Sequence, residues 1–473
     1  MEMLVKLNQL LGLRGKGEQP LGVLAQHAHK REHLIRRSAF SSIIGRVVAA
    51  VCMLVQVPLA LHYLGAEAFG FWMTITGVML MLGFADLGLG NGLQNRVAEL
   101  YGADDLAAIR QAWICGIKLL AIIGLMVFLL SVLVVPSVNW SRLFHLKDAK
   151  TAASASTCML VVSFNFCIGL SLMSVQKVAL GMQLGWILNL CVAAGSILSL
   201  IAVCLAIQLK FGLAWFLAFT LLTPQLANFF LVGYMIKYTK SAAMPVSAPT
   251  KSRILLKTGA KFFITQLAAV LIYSFPPILL AAKFGTAAVV PYNLTLRVLS
   301  LTTQFLGLFL IPLWPAYGEA KVRGDIQWIK RTYMRSLLAT ALLGVVPCLV
   351  FAPIGPYILA FWSHSGISFF NESLVAALSL WVAVTNFSQP AAILLNGLGH
   401  PTGQAVYGMA TVVIALALMP IFTDHFGPVG VPLSCLIPFS IIGLPFTLWE
   451  ATCRVRQTSF NPLRIFRKTI ITT

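Results

Sequence analysis

Acidic side chains are scarce in this 473-residue chain, with 14 Asp and Glu against 34 Lys and Arg. Thirteen of the acids fall in tails, loops or the ends of apolar segments, and only Asp86 approaches the interior of one. A protein that carries cations across a membrane buries carboxylates for its cargo and coupling ion, so this shortage counts against that class. The nine Cys never form C-x-x-C and nearly all sit in apolar runs, which excludes a redox pair and leaves small apolar packing residues. No ATPase motif is present. Gly88, Gly90 and Gly92 follow an apolar helix rather than a strand, with no Lys-Ser/Thr after them, so they do not form a nucleotide loop. His27, His29 and His33 have only Glu32 nearby and no Cys, which makes a poor metal set; no metal, cofactor or catalytic residue is expected.

Hydrophobic residues make up 59% of the chain, charged residues 10%, and mean hydropathy is +0.87. No soluble globular chain of this length has that balance. Apolar runs recur at the ~20 residues that cross ~30 Å of hydrocarbon. Twelve are expected, over residues 39–64, 68–86, 113–135, 152–175, 184–207, 213–236, 258–281, 288–314, 337–361, 374–395, 405–422 and 429–449. Gln176 and Lys177 are a thin divider between the fourth and fifth. Several runs contain Pro (Pro58, Pro224, Pro276, Pro277, Pro291, Pro312, Pro390), which bends helices or frees carbonyls.

With twelve spans, the cations sort by side. Twenty-five Lys and Arg fall in the two tails and the loops on their side; Arg142, Lys147, Lys150, Lys210 and Lys283 lie opposite; Arg46, Lys118, Lys261 and Arg297 lie within spans. The positive-inside rule puts both termini in the cytoplasm. The basic surface reads as topology charge and anionic-lipid contact, not as a nucleic-acid face. The first 38 residues lack the compact apolar core and small-residue cleavage site of a signal peptide. Leu4, Leu7 and Leu11 suit an interfacial helix, and a disordered tail fits equally well.

A repeat at an offset of 220 residues gives the architecture. Leu64-Gly65 matches Phe284-Gly285, Glu99 matches Glu319, and Asp105, Leu106, Ile109 and Arg110 match Asp325, Ile326, Ile329 and Lys330. Six crossings separate the copies, so both have the same orientation. The expected fold is an all-α integral membrane protein of two six-helix bundles, related by a pseudo-two-fold axis along the membrane normal. The expected parts are a basic cytoplasmic tail (1–38), a first bundle (39–236), a cytoplasmic linker (237–257), a second bundle (258–449) and a basic tail (450–473).

Such a fold places its substrate site near the midplane between the bundles. In the eighth span Asn293, Arg297, Ser300 and Gln304 are spaced four, three and four apart, which aligns them on one helical face. An Arg at a helix centre costs roughly 2.5–3.5 kcal/mol to insert, so it faces a wet cavity or the bundle interior by default. Arg46 lies on a similar face of the first span with Ser42, Ala49, Met53 and Gln56. The candidate substrate-binding residues are therefore Arg297, Arg46, Asn293, Ser300, Gln304, Gln56 and Lys261. Lys261 and Lys118 lie near cytoplasmic span ends, where snorkelling to the interface is the simpler account. Asp86 is the candidate for ion coupling, against a structural role capping the glycine-rich turn. Buried cations without matching acids imply an anionic substrate.

The stretch 63–102 combines Tyr63-Leu64-Gly65, Phe69-Gly70 and Trp72 at the start of the second span, Asp86-Leu87-Gly88 at its end, and the polar run from Asn95 to Gly102. It resembles the polysaccharide-export branch of the multidrug/oligosaccharidyl-lipid/polysaccharide flippase superfamily. That resemblance implies a Wzx-type protein of the bacterial inner membrane, which flips a lipid-diphosphate-linked oligosaccharide to the periplasmic face through a cationic central cavity. It also implies that the polyprenyl-diphosphate-linked oligosaccharide, membrane lipids, and polysaccharide polymerase and chain-length proteins are the partners. Two other readings compete. One is a multidrug or small-molecule exporter of the same fold, which the shortage of buried acids disfavours. The other is an integral-membrane enzyme, but the longest outward loop, 136–151, holds Arg142, His145 and Asp148 in no recognised constellation.

Overall fold

The computed structural model describes residues 21–81, 86–140, 146, 148–240, 252–284, 288–363 and 370–457, and every regular element among them is helical. Leu4, Leu7 and Leu11, most of the linker, Arg142, His145 and the end of the C-terminal tail lie outside those residues. Ten helical segments are long and apolar enough to cross a membrane. One of them, Pro401–Arg456, contains two expected spans that part at Gly427 (φ 60°). The expected span 68–86 includes four undescribed positions and is not among the ten. The twelve crossings are accounted for in this way.

The first lobe comprises α1 (Leu21–Met81), α2 (Leu89–Gly102), α3 (Leu106–Val134), α4 (Ala149–Gly181), α5 (Gly185–Gln208), α6 (Leu213–Leu222) and α7 (Gln225–Lys240). The second comprises α8 (Ser252–Phe284), α9 (Val289–Leu310), α10 (Leu313–Val322), α11 (Ile326–Thr340), α12 (Val346–Ser363), α13 (Glu372–Gly397), α14 (Pro401–Phe426), α15 (Gly430–Pro438) and α16 (Leu444–Gln457). Gly65 (φ 78°, ψ 166°) splits α1 into the first span and the start of the second. Each lobe has its own apolar clusters. Val97, Ile109, Leu120, Val178 and Met235 build one in the first lobe, and Leu280, Leu299, Leu374, Leu378 and Met419 build one in the second.

The 220-residue repeat recurs in backbone detail. Asp104 (φ 57°) and Gly324 (φ 75°) take the same left-handed turn. Asp105 then accepts from the Ala108 amide at 2.8 Å and Asp325 from the Trp328 amide at 3.2 Å, so both cap the helix that follows. Before each turn, the amides of Ala103 and Arg323 bond the carbonyls of Glu99 and Glu319.

Three boundaries differ from the sequence expectation. The polar stretch after Asp86 is not a loop: beyond the left-handed Leu87 and Gly88, α2 runs for 14 residues from Leu89 to Gly102. The polar residues that look like loop are satisfied inside the protein: the Asn95 side-chain amide donates to the Asn396 carbonyl at 2.7 Å, and the Trp314 indole N–H donates back to Asn95. Residues 21–38 are a helical extension of the first span rather than a loose tail, and Ala28 and Ile35 pack on the second lobe. The fourth span runs through Gln176 and Lys177 to Gly181, so the turn to the fifth lies at 182–184.

Candidate functional site

The first and eighth spans face each other across the lobe boundary. Arg46 donates from Nη1 to the Gln304 carbonyl at 3.2 Å, joining α1 to α9. Gly45 brings α1 close to α5: a Cβ there would sit 3.0 Å from the Asn189 carbonyl oxygen. A cavity of about 280 Å³ opens beside this contact, lined by Ser42, Arg46, Ala49 and Asn189 from the first lobe and Leu308, Ile311 and Pro312 from the second. Arg46 therefore lines this cavity and at the same time ties α1 to a backbone carbonyl of α9, so a binding role and a structural tie both fit its position.

Arg297 lies two helical turns along α9 from Gln304, about 10 Å at 1.5 Å per residue. Asn293, Arg297 and Gln304 are exposed and Ser300 is half-buried, while Tyr292, Thr295, Leu299 and Leu306 on the opposite face are buried in the second lobe. The stripe expected from the spacing is thus a real face, and at Gln304 it meets Arg46. Ser300 donates to the Arg297 carbonyl at 2.7 Å, and the Gln304 amide to the Ser300 hydroxyl at 3.4 Å. No described side chain pairs with the Arg297 guanidinium.

The remaining candidates lie elsewhere. Gln56 donates to Ser199 at 3.3 Å, and Ser199 donates to the Thr220 carbonyl, so this amide ties three helices of the first lobe together. Lys261 does not line the cavity beside Arg46; it lines an apolar groove between α8 and α14. Asp86, 2% exposed, accepts from the amides of Gly88 at 3.0 Å and Gly90 at 3.1 Å, and so caps the start of α2. The Lys177 ammonium donates to Asn91 at 2.7 Å nearby. Gly88 (φ 70°) must be glycine, since a Cβ there would lie 2.2 Å from the Gly259 carbonyl oxygen on α8.

A second polar cluster, which the sequence did not single out as a site, joins the lobes at the far ends of α2 and α10. Arg31, 1% exposed, pairs with Asp325, stands 3.9 Å from Glu319 and covers the Trp328 ring at 4.6 Å. Arg323 donates to Glu319 at 2.8 Å and makes two bonds to Asp104 of the first lobe, at 2.8 and 3.0 Å. The Gln183 amide also donates to Glu319. The helices touch closely beside this cluster, where a Cβ on Gly102 would sit 3.1 Å from the Glu319 Cα, and one on Gly318 3.1 Å from the Ala98 Cβ. The sequence signal was present in part: Glu319 and Asp325 marked the repeat, but Arg31 looked like one topology charge among many.

No family model matches the chain. A protein assigned as an O-antigen transporter in Salmonella typhi is 23% identical over 428 residues, covering 87% of this chain and 95% of that protein. A protein with the same assignment in Salmonella typhimurium LT2 is 22% identical over 88% of this chain and 96% of that one. Among solved structures, a MATE transporter in the bent conformation superposes with a TM-score of 0.76 at 16% identity, over 93% of this chain and 99% of the other. An outward-facing multidrug resistance MATE family transporter of the MOP superfamily gives 0.74 at 16% identity, over 91% and 97%. A MOP superfamily transporter from Pyrococcus furiosus, described as having a binding pocket of reversed polarity, gives 0.72 at 15% identity, over 91% and 97%.

Proposed function

We propose that this chain, a Wzx-type flippase of the MOP superfamily, moves a lipid-diphosphate-linked oligosaccharide from the cytoplasmic to the periplasmic leaflet of a bacterial inner membrane, with both its termini in the cytoplasm. One observation supports the proposal above others: Arg46 reaches across the lobe boundary to Gln304, and Arg297 is exposed two turns away on the same face of α9. Arg297 binds the diphosphate, and Arg46 is the second cationic contact on the cytoplasmic side of it. A guanidinium suits that cargo because it presents planar, bidentate donors to phosphate oxygens as well as charge. Asn293, Ser300 and Gln304 continue the polar face on which the headgroup slides. Among the described residues no carboxylate shares this cleft, which favours an anionic cargo over a cationic drug.

The direction of flipping fits the charge. A diphosphate diester carries about two negative charges, and leaving a negative-inside cell releases roughly 2.3 kcal/mol per charge per 100 mV if no counter-ion follows. The protein must lower the barrier to taking that charge through hydrocarbon. Alternating access does so when the lobes rock about the cleft, breaking and remaking the cluster around Glu319 and Arg323.

The test is appearance of the sugar on the periplasmic face, with membrane abundance measured alongside. Arg297→Ala and Arg297→Glu should stop flipping in a normally inserted protein, and Arg297→Lys should keep part of it. Full transport by a normally abundant Arg297→Ala protein would reduce Arg297 to a structural residue and sink the proposal.

A further inference from the structure

Lys261 leaves one structural question unanswered by the central cleft. It lies on α8, whose other face packs on α2 at Gly259 and Gly88. Its own side chain lines a groove of about 540 Å³ against α14, walled by Ile264, Val406, Met409, Ala410 and Val413. That volume lies within the roughly 300–1,000 Å³ of ligand sites. Val406 and Val413 are 68% and 57% exposed, so the groove is open along its length. Its walls are apolar, and Lys261 contributes the aliphatic stem that carries its ammonium. No described side chain hydrogen-bonds or pairs with the Lys261 ammonium.

The charge sits at one end of the groove. His400 precedes α14, whose N-terminus opens there with Thr402 in the lining. Lys261, Lys321 and Arg454 all lie close enough to His400 to oppose its protonation. Lys321 is committed to the Leu398 carbonyl at 2.6 Å, and Arg454 to Glu450 at 3.7 Å, which leaves Lys261 as the free cation of the group. An apolar trough with a free cation at its mouth complements a molecule with a long hydrocarbon tail and an anionic head. The mouth lies on the side that the charge distribution assigns to the cytoplasm.

We infer that the α8–α14 groove holds one anionic glycerophospholipid of the cytoplasmic leaflet, its phosphate at Lys261 and one acyl chain along Ile264, Val406, Met409 and Val413. The bound lipid braces α8, the helix that borders the lobe boundary through Gly259. It is distinct from the transported molecule, and its site stands whether or not Arg297 binds a diphosphate.

Native mass spectrometry of the full chain, in micelles with equal phosphatidylglycerol and phosphatidylcholine of identical chains, tests this without any transport assay. The wild type should retain one phosphatidylglycerol in preference to phosphatidylcholine. Lys261→Ala should cut that preference about fivefold, the worth of one cation at a membrane surface, and Lys261→Arg should keep it. Ala410→Trp fills the groove from an exposed position and should abolish retention with Lys261 intact. Equal retention of both lipids by the wild type, or a preference unchanged in both Lys261→Ala and Ala410→Trp, overturns the site. Displacement of phosphatidylglycerol by an equal amount of undecaprenyl phosphate overturns the choice of occupant.

Discussion

Asp86 shows how one residue carries two readings until its partners are known. Its sequence context, a lone acid beside a membrane interior, suggested ion coupling. Its carboxylate accepts two backbone amides at the start of α2, beside the Lys177 side chain, which gives the acid a structural role. Asp86→Ala should lower stability by about 1 kcal/mol, the usual worth of such a cap, and Asp86→Asn by less. The coupling role is tested separately: Asp86→Asn should leave the pH and Na⁺ dependence of transport unaltered if Asp86 is only a cap, and change it if the carboxylate carries the ion. His400 offers a second residue-scale test. Burial first, then Lys321, Arg454 and Lys261, push its pKa down from 6.5 to about 4. The folded protein therefore holds His400 neutral where the unfolded chain protonates it. The stability this contributes is full above pH 6.5 and lost as pH falls towards 4. Melting temperature in micelles should decline across that window, and His400→Gln should flatten the decline. At this scale the four-three-four spacing was enough to predict that Asn293, Arg297 and Gln304 share one face of α9, and all three are exposed there. It could not tell a cleft from a groove for Lys261, or a free amide from a committed one for Gln56, since those depend on which helix lies opposite.

Helix boundaries depend on the same hidden partners. A glycine-rich, polar run such as Gly88–Arg96 reads as loop because its propensities are poor. It folds as α2 because its polar side chains find partners inside the protein, Asn95 across the lobe boundary at Asn396 and Trp314 and Asn91 at Lys177 in its own lobe, and because Gly88 and Gly92 admit α8. The repeat was legible, since Asp105 and Asp325 are caps whose chemistry is fixed by position. The extension at residues 21–38 was not, since a basic segment before a span looks the same whether it is solvated or docked. Docking makes that extension part of the closure. Arg31 compensates two carboxylates while almost wholly buried, and removing one partner of such a pair costs about 3–5 kcal/mol. Arg31→Ala should therefore bias the lobes apart at this end. Spin labels on Ala103 and Val322, both exposed and on either side of the α2–α10 contact, should give a single short distance in the wild type and a longer population in Arg31→Ala. Unchanged distances would mean that the helix contact alone holds the closure and that the ion pairs add nothing to it.

At the scale of the whole molecule, the two lobes follow from duplication, and their orientation in the membrane follows from charge. The Glu319–Arg323 cluster sits beside the left-handed turns at Asp104 and Gly324, on the side where Lys and Arg concentrate. The turn at residues 135–137 lies at the other end of α3, a helix of 29 residues and so about 44 Å at 1.5 Å per residue. That length exceeds the ~30 Å hydrocarbon thickness, so the two ends of α3 must emerge on opposite faces. The positive-inside rule then assigns Asp104 to the cytoplasm and Ser137 to the periplasm. In a background with the nine native cysteines replaced, Ala103→Cys should react only with reagents that enter the cytoplasm. Ser137→Cys should be blocked by an impermeant maleimide added to intact cells. Both positions are exposed, so access to the reagent is decided by the membrane and not by packing. The reverse labelling would invert the protein, put the ion-pair closure on the outer face, and make the same cleft a path for uptake.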